Sequence, residues 1–380
     1  MLTTDSQELP RGAVTEPFQS DVVATPQVSR RFRGFNVAAH GLRGLASIMV
    51  LLAHIIGGTA RHIYPQNADY VAGIAHPWFF GTFGVEIFFV ISGFVILPSA
   101  LKYSIDQFAL RRFFRIYPLF FTFSIIFIIL NYATNAYSYN NNARSIIAGL
   151  TFLNLFTGTE QLTPNAWSLS FEVAFYALTG LVVTFVIRRR SVWIGPLTIA
   201  AAVAFLISFP ITVYFLIGVL MRLFAPLDTN ATRVTRTLEL TAIAALIWFA
   251  SRTHFDYTSW TQFENFIVPN IIISISVYFF TALMNDSLTM RAFNNVVFRY
   301  LGDVSYSLYL VHPFTYYIVR MIFVRYGYFT QDIVISMTFF ASAVITSSFL
   351  VTHFVHAMLE RWPYQAVFHQ KVYRQKVAKP

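Results

Sequence analysis

Long apolar runs separated by short polar, basic or Gly/Pro-marked breaks dominate the chain, and ten of them read as membrane-crossing helices: 41–58, 77–101, 113–132, 165–187, 191–207, 208–224, 236–251, 264–285, 299–323 and 333–357. A helix needs roughly 17–25 largely apolar residues to cross a ~30 Å hydrocarbon core. The pattern predicts an all-α integral membrane protein, a bundle of about ten transmembrane helices. Segments 191–207 and 208–224 read either as two short spans or as one bent unit around Pro210. The longest outer loop, 133–164, holds an apolar piece, SIIAGLTFLNLF, too short to span and suited to a re-entrant or interfacial position. Residues 1–37 lack periodicity, carry no secretory signal pattern and predict a disordered tail. Residues 38–357 form the expected transmembrane domain, and 358–380 a short basic tail near anionic headgroups.

Charge orients this bundle. With the N-terminus inside, the cytoplasmic loops and span ends collect 22 of the 27 Lys and Arg residues, while the outer side keeps Arg61, Arg144, Arg252, Arg320 and Arg325. Lys and Arg concentrate on the cytoplasmic side of membrane proteins, so both termini are predicted to be cytoplasmic. Topology then accounts for the net charge of +10, and the expected partner is the bilayer, with no nucleic acid. Hydrophobic residues make up 56% and charged residues 12%, about half the charge of a soluble chain. No cysteine is present, which excludes disulfides, thiolate nucleophiles and cysteine metal sites. The expected location is the cytoplasmic (inner) membrane, as a multi-pass protein.

Against this apolar background the ionisable residues inside spans stand out, because lipid does not solvate them. Arg43 and His54 share the first span; eleven residues make three turns plus roughly 20°, so both lie on one face about 16 Å apart. Glu86 and Ser92 lie in the second span within GVEIFFVISGF. Trp167, Ser168 and Glu172 enter the fourth within AWSLSFEVAFY. Asp303, Ser305, Tyr306, Tyr309 and His312 lie in the ninth, and Arg111, Arg112 and Arg115 close the loop before the third. Counting from each span's entry places His54, Glu86, Glu172 and His312 at one depth, which predicts a single polar cavity. His353 and His356, near Glu360, read as interface residues, and no metal site is expected. His62 and His76 read as outer-surface residues, and Gly57-Gly58 as a helix end.

The chain resembles the membrane acyltransferase 3 family, integral membrane O-acyltransferases of surface polysaccharides, lipid-linked oligosaccharides and related glycans. The resemblance spans about 38–357. Arg-x10-His matches Arg43 and His54; G-V-[DE]-[IL]-F-F-V-x-S-G-F matches Gly84 to Phe94. R-x-x-R-I-x-P matches Arg112, Arg115 and Pro118, and W-S-L-x-x-E matches Trp167, Ser168, Leu169 and Glu172. F-x-x-G matches Phe215 and Gly218, and S-Y-x-x-Y-L-x-H matches Ser305, Tyr306, Tyr309, Leu310 and His312. Two positions depart from the pattern: His40 stands where the family often has Asp, and Val173 where many members have a second acid.

The resemblance implies transfer of an acyl group, expected to be acetyl, from acyl-CoA to a hydroxyl of a glycan or lipid-linked sugar, with no permanently bound cofactor. Such transfer needs a base for the hydroxyl proton and stabilisation of the developing oxyanion. His54 is the expected base, with Glu172 or Glu86 orienting its imidazole. Arg43, Arg111, Arg112 and Arg115 could hold the CoA phosphates, although topology alone equally explains the last three. Glu86, Ser92, Trp167, Ser168, Tyr306 and His312 are the expected acceptor-binding residues. The alternative is a transporter or flippase of sugar-lipid intermediates without transfer activity; no paired broken helices in inverted repeats speak for it.

Overall fold

In the computed structural model, residues 35–368 are described, apart from 164 and 257. The expectations for residues 1–34 and 369–380 fall outside them. The described residues form an all-helical, multi-pass architecture. In chain order, α1 is Val37–His62, α2 Ala68–Thr82, α3 Gly84–Lys102 and α4 Ile105–Thr134. Two short helices follow, α5 Ala143–Leu150 and α6 Asn154–Thr157, and then α7 Trp167–Leu181, which runs on through a π-helical turn, Val182–Ile187. Next come α8 Ile194–Ser208, α9 Val213–Phe224, α10 Arg233–Ala250 and α11 Ile267–Ala282. The last four are α12 Leu288–Phe293, α13 Val296–Arg325, α14 Ile333–Val355 and α15 Trp362–Phe368.

All ten predicted segments are helical, but six helices are long and apolar enough to cross a bilayer, or seven if the bent pair counts as one span. The bent pair is α8 with Pro210–Phe224, turned by 113° at Phe209-Pro210. Proline there removes a backbone donor and disfavours helix in the residue before it. α11 has only 16 residues. α10 carries Arg233, Arg236 and Glu239 in its first two turns. The second predicted span gains a preceding arm: α2 and α3 run together over 35 residues. The C-terminal segment expected to be tail begins as helix, a π-helical turn His356–Arg361 leading into α15.

Small residues decide which helices touch. Lipid tails are as apolar as leucine, so helices associate in a membrane through close packing and hydrogen bonds. A Cβ on Gly41 would meet Phe293, one on Gly44 would meet Leu301 and Gly302, and one on Gly302 would meet His40. Gly41 thus admits Phe293 of α12, while Gly44 and Gly302 let α1 lie against α13, the most extensive helix pair among the described residues. At its basic end this pair is clamped by His40, whose Nε2 lies 3.2 Å from Asp303 Oδ1 and 3.1 Å from the Arg299 carbonyl. Farther along, Leu51 and Ile55 of α1 pack with Leu308 and Tyr316 of α13 and with Phe340 and Val344 of α14. The α3–α9 crossing is equally close: a Cβ on Gly93 or Gly218 would run into the backbone of the facing helix.

The fully buried Glu239 of α10 is an ionisable residue that the sequence reading passed over. Its carboxylate accepts from Leu288 N at 2.9 Å, Thr289 N at 2.7 Å and Thr289 Oγ1 at 2.5 Å. These donors belong to the first turn of α12, where helix amides lack internal partners, so the carboxylate satisfies them and pins α12 to α10.

Two outcomes check this packing. Gly218→Ala should lower the thermal midpoint of the purified protein in detergent, since overpacking costs about 1–3 kcal/mol and here the obstacle is backbone. Gly73→Ala, where nothing lies within 4 Å of the new methyl, should not lower the midpoint and should raise it slightly, because alanine favours the helix interior over glycine.

Candidate functional site

Val50, His54, Gly57, Gly58 and Arg61 form one stripe along α1 at helical spacing, and all five line a cavity of about 780 Å³. The helix does not end at Gly57-Gly58 as expected but continues to His62. The two glycines instead admit neighbours, since a Cβ on Gly57 would strike Trp78 and one on Gly58 the Tyr316 ring. The cavity lies toward the end of the bundle opposite Arg43, and its walls are rich in aromatic rings, among them Trp78, Tyr137, Trp167, Phe171 and Tyr317. Aromatic faces joined by a few placed polar groups suit a sugar-sized ligand.

His54 is half-buried, and its Nδ1 lies 2.8 Å from the Val50 carbonyl four residues back. A carbonyl only accepts, so Nδ1 carries the proton and the Nε2 lone pair is left for other work. His312 repeats the arrangement, with Nδ1 3.1 Å from the Leu308 carbonyl. The two rings meet edge-on at 4.8 Å between centroids, and the fully buried Nε2 of His312 has no hydrogen-bond partner. Glu86 is buried on the cavity wall, and its Oε2 is likewise without a partner. Of the four residues expected around one cavity, His54 and Glu86 line it, and His312 lies behind the wall against the His54 ring.

Glu172 lies apart from this cavity. It accepts from Ser92 Oγ at 2.6 Å and forms a short hydrogen bond with the Tyr176 hydroxyl. Arg112 lies over the Tyr176 ring at 5.5 Å and donates to Ser99 Oγ at 2.8 Å. Ser92 is six residues from Glu86 along α3, so this second polar cluster sits about 9 Å nearer the basic end. Helix rotation gives the reason. Trp167 and Phe171, four apart, face the cavity, whereas Ser168 and Glu172 occupy the adjacent face. The orienting acceptor for His54 is thus the Val50 carbonyl and neither predicted carboxylate.

The remaining predicted residues divide between support and surface. The Ser168 and Tyr309 hydroxyls lie 2.8 Å apart, and Tyr309 also donates to the Asn165 carbonyl at 2.6 Å. Tyr306 is buried and donates to the Ile116 carbonyl at 2.8 Å, bracing α13 against α4. Arg111 bonds Tyr364 of α15 at 3.1 Å and lies over the Tyr103 and Phe368 rings. Arg115 interacts electrostatically with the buried Glu360, which is held by Ser307 Oγ at 2.7 Å and His356 Nδ1 at 2.9 Å. Arg43 is half-buried near the basic end of α1, away from the cavity walls. Among the described residues no group of three or more His, Asp or Glu could hold a metal ion.

Several cavity residues were not among the predicted site residues, His62 among them, which read as an outer-surface residue. Arg61, His62 and Arg320 line the wall, as does Glu160. The loop between α10 and α11 adds His254, stacked on Trp78 at 5.4 Å; burial pushes its imidazole pKa down, with Asp256 opposing. Asn154 and Leu155 come from the short apolar piece expected to be re-entrant, and Gln161, Thr163 and Asn165 from the segment before α7. A Trp-Ser-Leu motif marks where α7 begins, but nothing local shows that the residues before it turn back into the bundle.

Comparison with known proteins bears on this site. A family model described as an acyltransferase domain matches residues 36–353, which include both halves of the cavity. The O-acetyltransferase OatA of Staphylococcus aureus (strain NCTC 8325 / PS 47) is 29% identical over 231 residues, covering 55% of this chain and 34% of that protein. The acyltransferase MdmB of Streptomyces mycarofaciens is 31% identical over 173 residues, 43% of each chain. The matched region thus spans well under half the length of either relative. No solved structure matches. The family match extends from the residue that caps α1 to the last turns of α14, so it takes in every helix that walls the cavity, and the chain belongs to the acyltransferase 3 family.

Proposed function

We propose that this protein is a membrane O-acyltransferase that moves an acetyl group from acetyl-CoA to a hydroxyl of a glycan or lipid-linked sugar, in the cytoplasmic membrane. One observation carries the reading: His54 presents an Nε2 lone pair to a sugar-sized aromatic cavity while a backbone carbonyl fixes its tautomer. Family membership and the names of the two relatives, an O-acetyltransferase and an acyltransferase, support it.

In this mechanism the acceptor hydroxyl enters the cavity and gives its proton to His54 Nε2 as its oxygen attacks the thioester carbonyl. The carbon–sulfur bond then breaks, and the imidazolium returns the proton to the leaving thiolate. His312 holds the His54 ring from its edge and keeps it aimed at the cavity. The donor enters from the basic end, where Arg43, with Arg111, Arg112 and Arg115, supplies guanidinium groups for the CoA phosphates. Its thioester must reach past the level of the Ser92–Glu172–Tyr176 cluster to meet the hydroxyl. Glu172 is a positioning residue on that path, holding Ser92 and Tyr176 in place.

His54→Gln keeps size and hydrogen bonding but cannot relay the proton, so transfer from acetyl-CoA should fall by about 10²–10⁴ with acyl-CoA binding intact. A His54→Gln protein retaining most of its rate would remove His54 as the base. Activity should also decline on the acid side as His54 protonates, because imidazolium cannot accept the hydroxyl proton. Glu172→Gln should cost less than His54→Gln, since Glu172 touches neither the base nor the cavity.

Arg43→Ala should weaken acyl-CoA binding, measured by titration on the protein in nanodiscs, while leaving thermal stability unchanged. Native affinity in that variant would place the phosphates elsewhere.

A further inference from the structure

Two arginines stand at the end of the bundle that the charge pattern leaves poorest in cations: Arg61 of α1 and Arg320 of α13 both line the cavity. Contacts between the two helices advance together in both numberings, Gly44 with Gly302, His54 with His312 and Gly58 with Tyr316, so α1 and α13 run parallel. Arg61 follows Gly58 by three residues, and Arg320 follows Tyr316 by four. Both therefore stand about one turn past the Gly58–Tyr316 contact, at rises of roughly 4.5 and 6 Å, and share one level. Both guanidiniums also interact electrostatically with His62, a third cavity-lining residue.

These cations are held without being neutralised. The Arg320 guanidinium lies 5.6 Å from the Tyr316 ring and 5.4 Å from the Tyr317 ring, an attraction to ring faces that leaves its charge uncompensated. Arg61 is exposed. Among the described residues neither forms an ion pair; the acids that do are Asp286, Asp303 and Glu360, each with other partners. Two carboxylates share the cavity wall. Glu86 is buried, and the exposed Glu160 interacts with the Tyr139 hydroxyl. Asp256, beside His254, turns back on the Thr258 amide and hydroxyl at 2.8 and 2.7 Å. The rim therefore stays positive from Arg61 and Arg320 even with Glu160 counted. A guanidinium fork matches two oxygens of a carboxylate or phosphate, and a cleft with one sign of charge in excess concentrates its counter-ion.

We propose that Arg61 and Arg320, with His62 beside them, form an oxyanion subsite, and that the acceptor carries a carboxylate or phosphate there. Naming the ligand as the acceptor rests on the acyltransferase reading; anion binding at the rim does not. Arg61 lies seven residues beyond His54 on the same stripe of α1, so its Cα stands about 10 Å farther along the cavity. The anion and the hydroxyl to be acylated thus occupy separate points of one ligand, and the charge fixes which hydroxyl comes to His54 Nε2. The headgroup of an anionic phospholipid offers the same chemistry, so the two sources must be told apart. The donor's phosphates belong at the other end, beside Arg43.

The test is probe binding to the full chain in nanodiscs, without acyl donor, by saturation-transfer NMR. The probes are methyl glucuronide, glucose 1-phosphate and the neutral methyl glucoside. In phosphatidylcholine discs at low salt, at least one anionic probe should bind about tenfold or more tightly than the neutral one. Raising the salt to about 0.5 M should shrink that preference, because the rim is open to solvent. Arg61→Gln and Arg320→Gln should each remove most of the preference while leaving methyl glucoside binding and the thermal midpoint unchanged. Arg61→Lys keeps the charge without the fork and should retain part of it. Acyl-CoA affinity should be native in both Gln variants; a fall would mean that the rim serves the donor, and the assignment would fail. Discs containing phosphatidylglycerol should leave the preference in place; if they abolish it, the arginines hold lipid and the acceptor assignment falls. Equal binding of charged and neutral probes, no binding by either anion, or a full preference in both Gln variants overturns the subsite. Transfer from acetyl-CoA is measured separately. Charge preference without transfer would sink the enzyme reading and spare the subsite, and transfer indifferent to acceptor charge would do the reverse.

Discussion

The close approach of α1 to α13 is the constraint on which the rest of the structure depends. Gly44 and Gly302 bring the two backbones together where no Cβ would fit, and the His40–Asp303 contact fixes their register at the basic end. From that register the helices run side by side, and fourteen residues beyond His40 the His54 ring meets His312 of the partner helix at 4.8 Å. A larger residue at Gly44 would push the helices apart and separate the two imidazoles without touching either. His40 gains a particular meaning here. Where the family often has Asp, this chain has His, and its partner on α13 is an acid.

The bundle contains two polar centres with different logic. The cluster of Ser92, Glu172, Tyr176 and Arg112 is closed: a carboxylate bonded to two hydroxyls, with a guanidinium over one of the rings. Such a satisfied network holds helices in place, because breaking one member leaves the others unpaired in a low-dielectric interior. The surroundings of His54 are less fully satisfied: Glu86, Thr163 and Asn165, which line the cavity, and His312, which backs the His54 ring, each keep a buried polar atom without a hydrogen-bond partner. Buried groups without partners are expensive, so this side of the bundle is held less firmly by its polar groups than the Glu172 cluster. Counting from each span's entry puts Glu172 level with His54, whereas the closed cluster lies about 9 Å nearer the basic end and on another face of α7.

The arginines show how one sequence feature serves two physical purposes. Arg111, Arg112 and Arg115 obey the charge asymmetry of membrane proteins. They also fasten α4 to its neighbours, Arg111 through Tyr364 and Phe368 of α15 and Arg112 through Ser99 of α3. Part of the hydrogen-bonding capacity of these guanidiniums is therefore spent inside the protein, whereas in the proposed mechanism Arg43, half-buried on α1, is the main contact for a phosphate.

The sequence by itself determined that the chain is helical and multi-pass, which family it resembles, and that His54, Glu86 and His312 belong to one polar region. These follow from apolar run length and from the cost of ionisable groups in lipid, both local properties that a chain carries without folding. It also supplied the motif glycines, though not the surfaces they open. Tertiary structure alone decided how many segments are long enough to cross, because the bend at Phe209-Pro210 and the short α11 concern direction and neighbours. It alone separated Glu172 from His54, since both the offset and the rotation of α7 against α3 are set by packing between helices, which residue counting does not register. Asn165 was illegible for the same reason: its place on the cavity wall rests on a reciprocal bond to Tyr309, 144 residues away in sequence.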